Sequence, residues 1–198
     1  TSEQLFEFTF DYARRRKASR ERPKVTLVDK ANIFTSMAFF RKIFDEAAEK
    51  HSDIDIEHVY VDACALDFVR RPWDFDVVVT ENMFGDILSD LAAGLVGGMG
   101  FAPSADIGDQ RAVFQPAHGS APDIVGLGTA NPTAAILSGA MMLDWLGRRH
   151  GVNHCLDAAR LIEQAVEQVL AKRRMNATDM IDTWRTSEMT EMVIGAIG

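Results

Sequence analysis

The chain has 198 residues, 47% of them hydrophobic, a formal net charge of -8 and a sequence pI of about 5.1. That is enough apolar material for one large domain or parts of two, while the acidity disfavours binding to an extended phosphate backbone, so nucleic acid is not an expected partner. No apolar stretch approaches the length of a membrane span, the N-terminus is polar, and Cys64 and Cys155 have no metal-ligand neighbours. Those features exclude a membrane span, a disulfide framework and a zinc site, and they fit a reducing cytoplasm.

Residues 5–13 read as an amphipathic helix already in mid-stride behind Thr1, as expected of a fragment or a processed product. The basic run Arg14-Arg15-Arg16-Lys17, with Arg20 and Arg22, lacks interleaved aromatics and reads as a solvated helix end and turn. Lys24-Val25-Thr26-Leu27-Val28 follows Pro23 as a β-branched strand, residues 35–50 carry a helix pattern, and residues 54–61 form a second strand. A short helix through Ala65 and Val69 stops before Pro72, and residues 75–80 are an apolar run of the buried-strand type with parallel neighbours. A helix from Asn82 to Leu95 ends at Gly97-Gly98. Residues 98–133 are then loop-dominated, interrupted by Ala112-Val113-Phe114. Pro132 sits where a helix can start, so residues 133–146, 152–173 and 184–197 complete a helical last third.

This βαβ grammar predicts an α/β fold with parallel or mixed sheets flanked by helices. The composition shift at Gly97-Gly98 divides it into residues 1–97 and 98–198. No G-x-G-x-x-G fingerprint is present.

Three carboxylates stand out. Asp86 and Asp90 are four residues apart, on one helical face, and Asp62 follows a Val/Tyr-rich run, from which it arrives off a strand end or from another subunit. Such a set suits a hard, oxygen-liking cation, Mg2+ or Mn2+. The stretch Gln115-Pro116-Ala117-His118-Gly119-Ser120-Ala121-Pro122-Asp123-Ile124 has the character of a phosphate-carrying loop, since bare backbone N–H groups favour anions.

Val28-Asp29-Lys30-Ala31-Asn32, Tyr60-Val61-Asp62, residues 80–90 from Thr80-Glu81-Asn82 to Asp90, and His118-Gly119-Ser120-Ala121-Pro122-Asp123-Ile124 followed by Ala130-Asn131-Pro132 occur in order. Together they resemble the isocitrate/isopropylmalate dehydrogenase family, most specifically between Val28 and Leu143. The resemblance implies the family's two-domain fold with its N-terminal half absent. Residues 1–97 would belong to the dimerisation, metal and substrate domain, and residues 98–198 to the cofactor domain.

The implied reaction is oxidation of a 2-hydroxy acid by NAD with loss of its β-carboxylate as CO2. By resemblance Lys30 is the base for the C2 hydroxyl, and Asp62, Asp86 and Asp90 hold the cation. Asn32 faces substrate and nicotinamide, and Ile33 lines the substrate's variable side. His118, Gly119, Ser120, Ala121, Pro122, Asp123 and Ile124 form the adenosine-phosphate site with Asn131 near adenine, and Asp123 favours NAD over NADP because a carboxylate repels a 2'-phosphate. A homodimer is implied in which Lys30 and Asp62 serve the neighbouring subunit's site, and the helix from Asn82 presents ligands and packs either in that interface or in the core. The substrate-carboxylate arginines and the catalytic Tyr are expected upstream of Thr1, so the isolated chain is expected to be inactive. Ile33 and Glu81-Asn82-Met83-Phe84 lean toward 3-isopropylmalate and leucine biosynthesis. Homoisocitrate, tartrate or malate-type acids, isocitrate, and a non-catalytic regulatory or assembly subunit are the alternatives.

Overall fold

Alternation of β-branched runs with amphipathic helices builds a parallel sheet in the first half of the chain. The computed structural model describes residues 2–16, 21–176 and 185–198, and the chain divides into two units, Thr1–Leu95 and Val96–Gly198. In the first, β1 (Lys24–Asp29) is central, flanked by β2 (Asp55–Tyr60) and β3 (Val77–Val79), both parallel to it. The register pairs Val28 with Val59 and Leu27 with Val79. Every β1 residue after Lys24 is buried, as a strand covered on both faces requires.

The period of two sends alternate β1 side chains into different cores. Val25 and Leu27 join Phe6, Phe10 and Ala13 of α1 (Ser2–Arg15) and Phe44 and Ala47 of α2 (Thr35–Ala48). Val28 joins Cys64 and Phe68 of α3 (Val61–Arg70) and Leu88 of α4 (Asn82–Leu95). The first cluster is largely aromatic: Phe6 meets Phe44 edge-on with centroids 5.2 Å apart, and Phe10 lies 5.5 Å from the same ring. Fully burying each such ring contributes about 2–3 kcal/mol.

Three expectations change in this unit. The strand read at residues 54–61 stops at Tyr60 and the chain enters α3 at once, so Asp62 lies in the first turn of a helix. The strand read at 75–80 contracts to Val77–Val79, because Phe75 turns onto Phe68 at 4.8 Å and Asp76 is claimed by Arg16 at 2.8 Å. The basic run is also more than a solvated end. Arg14 binds Asp53 through Nε and Nη2, Arg16 reaches the buried Asp76, and Arg22 pairs with Asp55, so these cations tie α1 and the following turn to the sheet; Lys17 and Arg20 lie outside the described residues.

In the second unit β4 (Pro103–Ile107) pairs antiparallel with β5 (Ala112–Pro116), and α5 (Thr133–His150) packs on both strands. α6 (Asn153–Asn176) packs on α5, and α7 (Thr186–Ile197) on α6. Ala165, Val166 and Val169 meet Met189 and Val193 in the core, with Ile136 and Leu137 of α5 against them. α5 stops at Gly151, whose φ of 67° is a left-handed C-terminal cap. Gly147 is required for the α5–α6 approach, since a Cβ there would lie 2.6 Å from a Leu156 methyl. β4 was not anticipated: Pro-Ser-Ala-Asp-Ile has no strand pattern of its own and is extended by its partner β5. Trp184, expected in the last helix, lies outside the described residues.

Candidate active site

The first unit gathers chemistry where β1 ends. Alternation directs Asp29 to the face that carries Leu27, toward α2, and it is fully buried. There Arg41 closes a fork on it, Nε to Oδ2 and Nη2 to Oδ1, each 2.7 Å, and the Ala31 N–H donates to Oδ1 at 2.9 Å. A buried carboxylate is tolerable because both oxygens are satisfied by charge-assisted or backbone donors. The Lys30 carbonyl accepts the N–H groups of Ile33 and Phe34, both at 3.0 Å, so residues 30–34 form a tight turn into α2. Asn32 and Ile33 stand exposed on that turn, Ile33 at 65%.

Lys30 Nζ donates to Asp62 Oδ1, and its ammonium, as the largest influence, holds the Asp62 carboxyl below the usual carboxylate range. Lys30 Nζ and Arg41 Cζ lie 5.7 and 5.3 Å from the centre of the Tyr60 ring, respectively. The ring, the two cations and the two carboxylates thus form one connected group at the carboxyl end of β1 and β2.

α4 is started by Glu81, whose Oε1 accepts the Phe84 N–H at 2.8 Å and whose Oε2 accepts the Met83 N–H at 3.1 Å. This side-chain cap satisfies two of the helix's unpaired donors. Leu88 is buried, and Asp86 and Asp90 are exposed on the opposite side, their carboxylates without a hydrogen bond or ion pair to another described residue, although the Asp86 carbonyl accepts from Ser89 Oγ at 3.2 Å. Ile87 and Leu95 are exposed as well, at 59% and 42%.

Within one chain the structure brings Lys30 to Asp62 and leaves Asp86 and Asp90 as a separate pair. Among the described residues no three His, Cys, Asp or Glu side chains converge to hold a metal ion. The donor chemistry of the Asp86–Asp90 pair nevertheless fits Mg2+ or Mn2+: two carboxylates one helical turn apart, without a competing cation, form part of an all-oxygen set. Cys64 contributes no thiolate chemistry, because burial pushes its thiol up to about 12.

The second unit holds the other candidate residues in a loop. Ala117 N–H bonds the Ala102 carbonyl at 3.0 Å, and the half-buried His118 places Nδ1 2.9 Å from the Gly119 carbonyl, where an Nδ1–H donates. Ala121 has φ 43°, the one positive φ at a non-glycine among the described residues, and turns the chain into a single 3-10 turn at Pro122–Ile124. Residues 121–130 are all exposed, Asp123 included, and Gly119 and Ser120 precede them in the open. Asn131 Oδ1 accepts the Thr133 N–H at 2.9 Å and starts α5, and a Cβ on Gly100 would stand 2.8 Å from the Asn131 Cβ. Thr186 closes the far end, its N–H on the Gly128 carbonyl at 2.9 Å and its hydroxyl on the Ala130 carbonyl at 2.5 Å.

Asp29, Arg41, Tyr60, Glu81 and Thr186 support the expected residues; Asp29, Tyr60 and Glu81 stood in the sequence motifs without a supporting role of their own, and Arg41 and Thr186 were not singled out in the sequence. One signal was available: Arg41 interrupts the inward face of α2 marked by Met37, Phe40, Phe44 and Ala48, and a charge there needs a buried partner.

The chain matches the family model described as isocitrate/isopropylmalate dehydrogenase over residues 1–193. It is 47% identical over 192 residues to a 3-isopropylmalate/3-methylmalate dehydrogenase of Methanocaldococcus jannaschii, covering 96% of this chain and 55% of that protein. It is 49% identical over 179 residues to an isocitrate/homoisocitrate dehydrogenase of Thermus thermophilus, covering 89% and 51%. The crystal structure of isocitrate dehydrogenase from Methylococcus capsulatus superimposes with a TM-score of 0.84 at 46% identity, over 99% of this chain and 56% of that one. The chain therefore spans about half the length of the relatives it matches.

Proposed function

The chain belongs to the isocitrate/isopropylmalate dehydrogenase family of β-decarboxylating dehydrogenases, and from that membership we propose that it carries the metal, base and cofactor residues of an NAD-dependent 3-isopropylmalate dehydrogenase. The observation that carries the reading is the exposed, unpaired Asp86–Asp90 pair on α4, in the same unit as the Lys30–Asp62 pair. When bound, a divalent cation supplies Lewis-acid polarisation of the C2 oxygen and NAD supplies the hydride acceptor.

The chain's own residues do the rest. Lys30 takes the proton of the C2 hydroxyl, and Asn32, on the same turn, hydrogen-bonds the reacting end. Asp86 and Asp90 hold the cation for one site, while Lys30 and Asp62 complete the site of a second copy. That division is supported by Asp62 being engaged by Lys30 in its own chain rather than gathered with Asp86 and Asp90. Asp123 accepts from the ribose hydroxyls and repels a 2'-phosphate, with Asn131 beside the adenine and the His118–Ile124 loop along the phosphates. Exposed Ile33 offers an apolar contact, which suits an isopropyl group better than the extra carboxylate of isocitrate-type acids. The residues that bind the substrate carboxylates and reprotonate carbon are assigned to the part of the protein outside this chain.

The test is turnover of the full-length protein on 3-isopropylmalate, homoisocitrate, isocitrate and tartrate, with and without Asp86→Asn. The expected outcome is NADH formation with 3-isopropylmalate and a loss in the variant beyond the roughly 100-fold that removing an outer-shell partner of a metal ligand costs. Unchanged behaviour of Asp86→Asn would replace the enzyme by an assembly subunit, and preference for another acid would move the substrate.

A further inference from the structure

Lys30 is the residue on which the proposed proton transfer rests, yet its turn is short, its side chain is about a fifth exposed, and its one ion-pair partner among the described residues, Asp62, is far more open at 70%. A four-carbon stem held only by an exposed carboxylate samples several rotamers. A second restraint is present. Tyr60, the last residue of β2, pairs in register with Asp29 and places its ring 5.7 Å from Lys30 Nζ. Arg41 stands 5.3 Å from the same ring while its fork grips buried Asp29, which in turn holds the Ala31 N–H. The turn bearing Lys30 and the ring facing its ammonium are thus fixed by one pair.

We propose that Tyr60 is a positioning residue for Lys30, its ring holding the amine in place while the Asp29–Arg41 pair fixes both the ring and the turn. This rests on the reading of Lys30 as the base. The ring face attracts a cation and its plane limits where the amine sits, so toward Lys30 the aromatic ring is the working part, while the phenol hydroxyl interacts with the Arg41 guanidinium. Tyr60 is 37% exposed, so replacing it leaves the two hydrophobic clusters intact.

The experiment compares Tyr60→Phe, Tyr60→Leu and Lys30→Met in the full-length protein, reading kcat and KM with the preferred acid. In parallel, the Lys30 resonance is followed after 13C-methylation of the lysines and assigned by its loss in Lys30→Arg. Tyr60→Leu is expected to lower kcat about tenfold with KM changed less than about twofold, the pattern of lost transition-state positioning. It also moves the Lys30 resonance out of the ring's shielding. Tyr60→Phe keeps both near the parent values. Parent kcat in Tyr60→Leu, or equal damage in Tyr60→Phe, overturns the inference. Should Tyr60→Leu not fold, Tyr60→Gln takes its place with the same expectations. Turnover retained by Lys30→Met would instead remove the base assignment itself, so the two failures are distinguishable.

Discussion

The two units hold their candidate residues by different means. In the first, Lys30 sits just past the end of a strand and Asp62, Asp86 and Asp90 lie on helices, and side-chain charges hold those elements: Arg41 on Asp29, Glu81 on α4, Arg16 on Asp76. In the second, the stretch from His118 to Asn131 is a loop, exposed over residues 119–130 and fixed at its ends by backbone carbonyls, Ala102 before it and Gly128 and Ala130 toward its close. Proton transfer needs sub-ångström placement, which charged, buried anchors supply. Binding an extended cofactor tolerates a loop that settles around its ligand. The contrast predicts that disturbing anchors in the first unit costs stability, while changing the second unit's loop alters selectivity alone.

The largest expected effect breaks the first unit's deepest anchor. Asp29→Ala leaves the Arg41 guanidinium without its partner and the Ala31 N–H without an acceptor. Removing one member of a buried pair costs about 3–5 kcal/mol, and because Arg41 keeps some contact with water the loss belongs near about 3 kcal/mol. Urea unfolding of the full-length variant measures it, and a loss under about 1 kcal/mol would mean that the pair is not an anchor.

The complementary change in the second unit is Asp123→Arg. It exchanges a group that repels a 2'-phosphate for one that binds it, and is expected to move the NADP-to-NAD ratio of kcat/KM by about tenfold or more. The thermal midpoint stays where it was, because the residue is exposed and carries no hydrogen bond or ion pair to another described residue. A shift in stability without a shift in preference would contradict the assignment of roles to the two units.

What the sequence made legible follows the same division. β1 and α4 could be read because their signals are local: a β-branched run behind Pro23, and a helix pattern closed by Gly97-Gly98. β4 could not, since Pro103–Ile107 is extended only through its pairing with β5. Lys30 and Asp62 were legible through their motifs, but their direct contact joins residues 32 apart, and the same holds for Arg41 on Asp29 across a turn and half a helix. Such pairs become neighbours only once the sheet register is set, with Asp29 opposite Tyr60. Asp62 shows the limit of pattern reading: Val61 continues an apolar strand on paper, yet the chain begins α3 there, and the carboxylate becomes a helix-start residue.

A smaller effect comes from Glu81→Ala, which removes the side-chain cap from the Phe84 and Met83 N–H groups. Loss of a helix cap costs about 1 kcal/mol. Fraying the first turn of α4 also loosens Asp86, so Mn2+ affinity, followed by the metal's paramagnetic broadening, is expected to weaken with the stability. Intact affinity at reduced stability would separate the cap from the metal pair.

The smallest effect tests an anchor at the solvent edge of the first unit. Arg14 grips Asp53 at 2.7 and 2.8 Å, and this hydrogen bonding, ahead of every other influence, lowers the Asp53 carboxyl from 3.8 to about 2. The folded chain therefore holds the charged form more tightly than the unfolded one. Its contribution is complete above the unfolded value and disappears as pH falls through the folded value, here between 3.8 and about 2. Both partners are open to water, so the increment is small and screened by salt. Urea midpoints of parent and Asp53→Asn should differ slightly at pH 6 and converge as the pH descends through that window, with the difference reduced in high salt. A gap that stays constant down to pH 2 would assign Asp53 to hydrogen bonding independent of its charge, and the distinction between buried and solvent-edge anchors in this unit would lose its electrostatic basis.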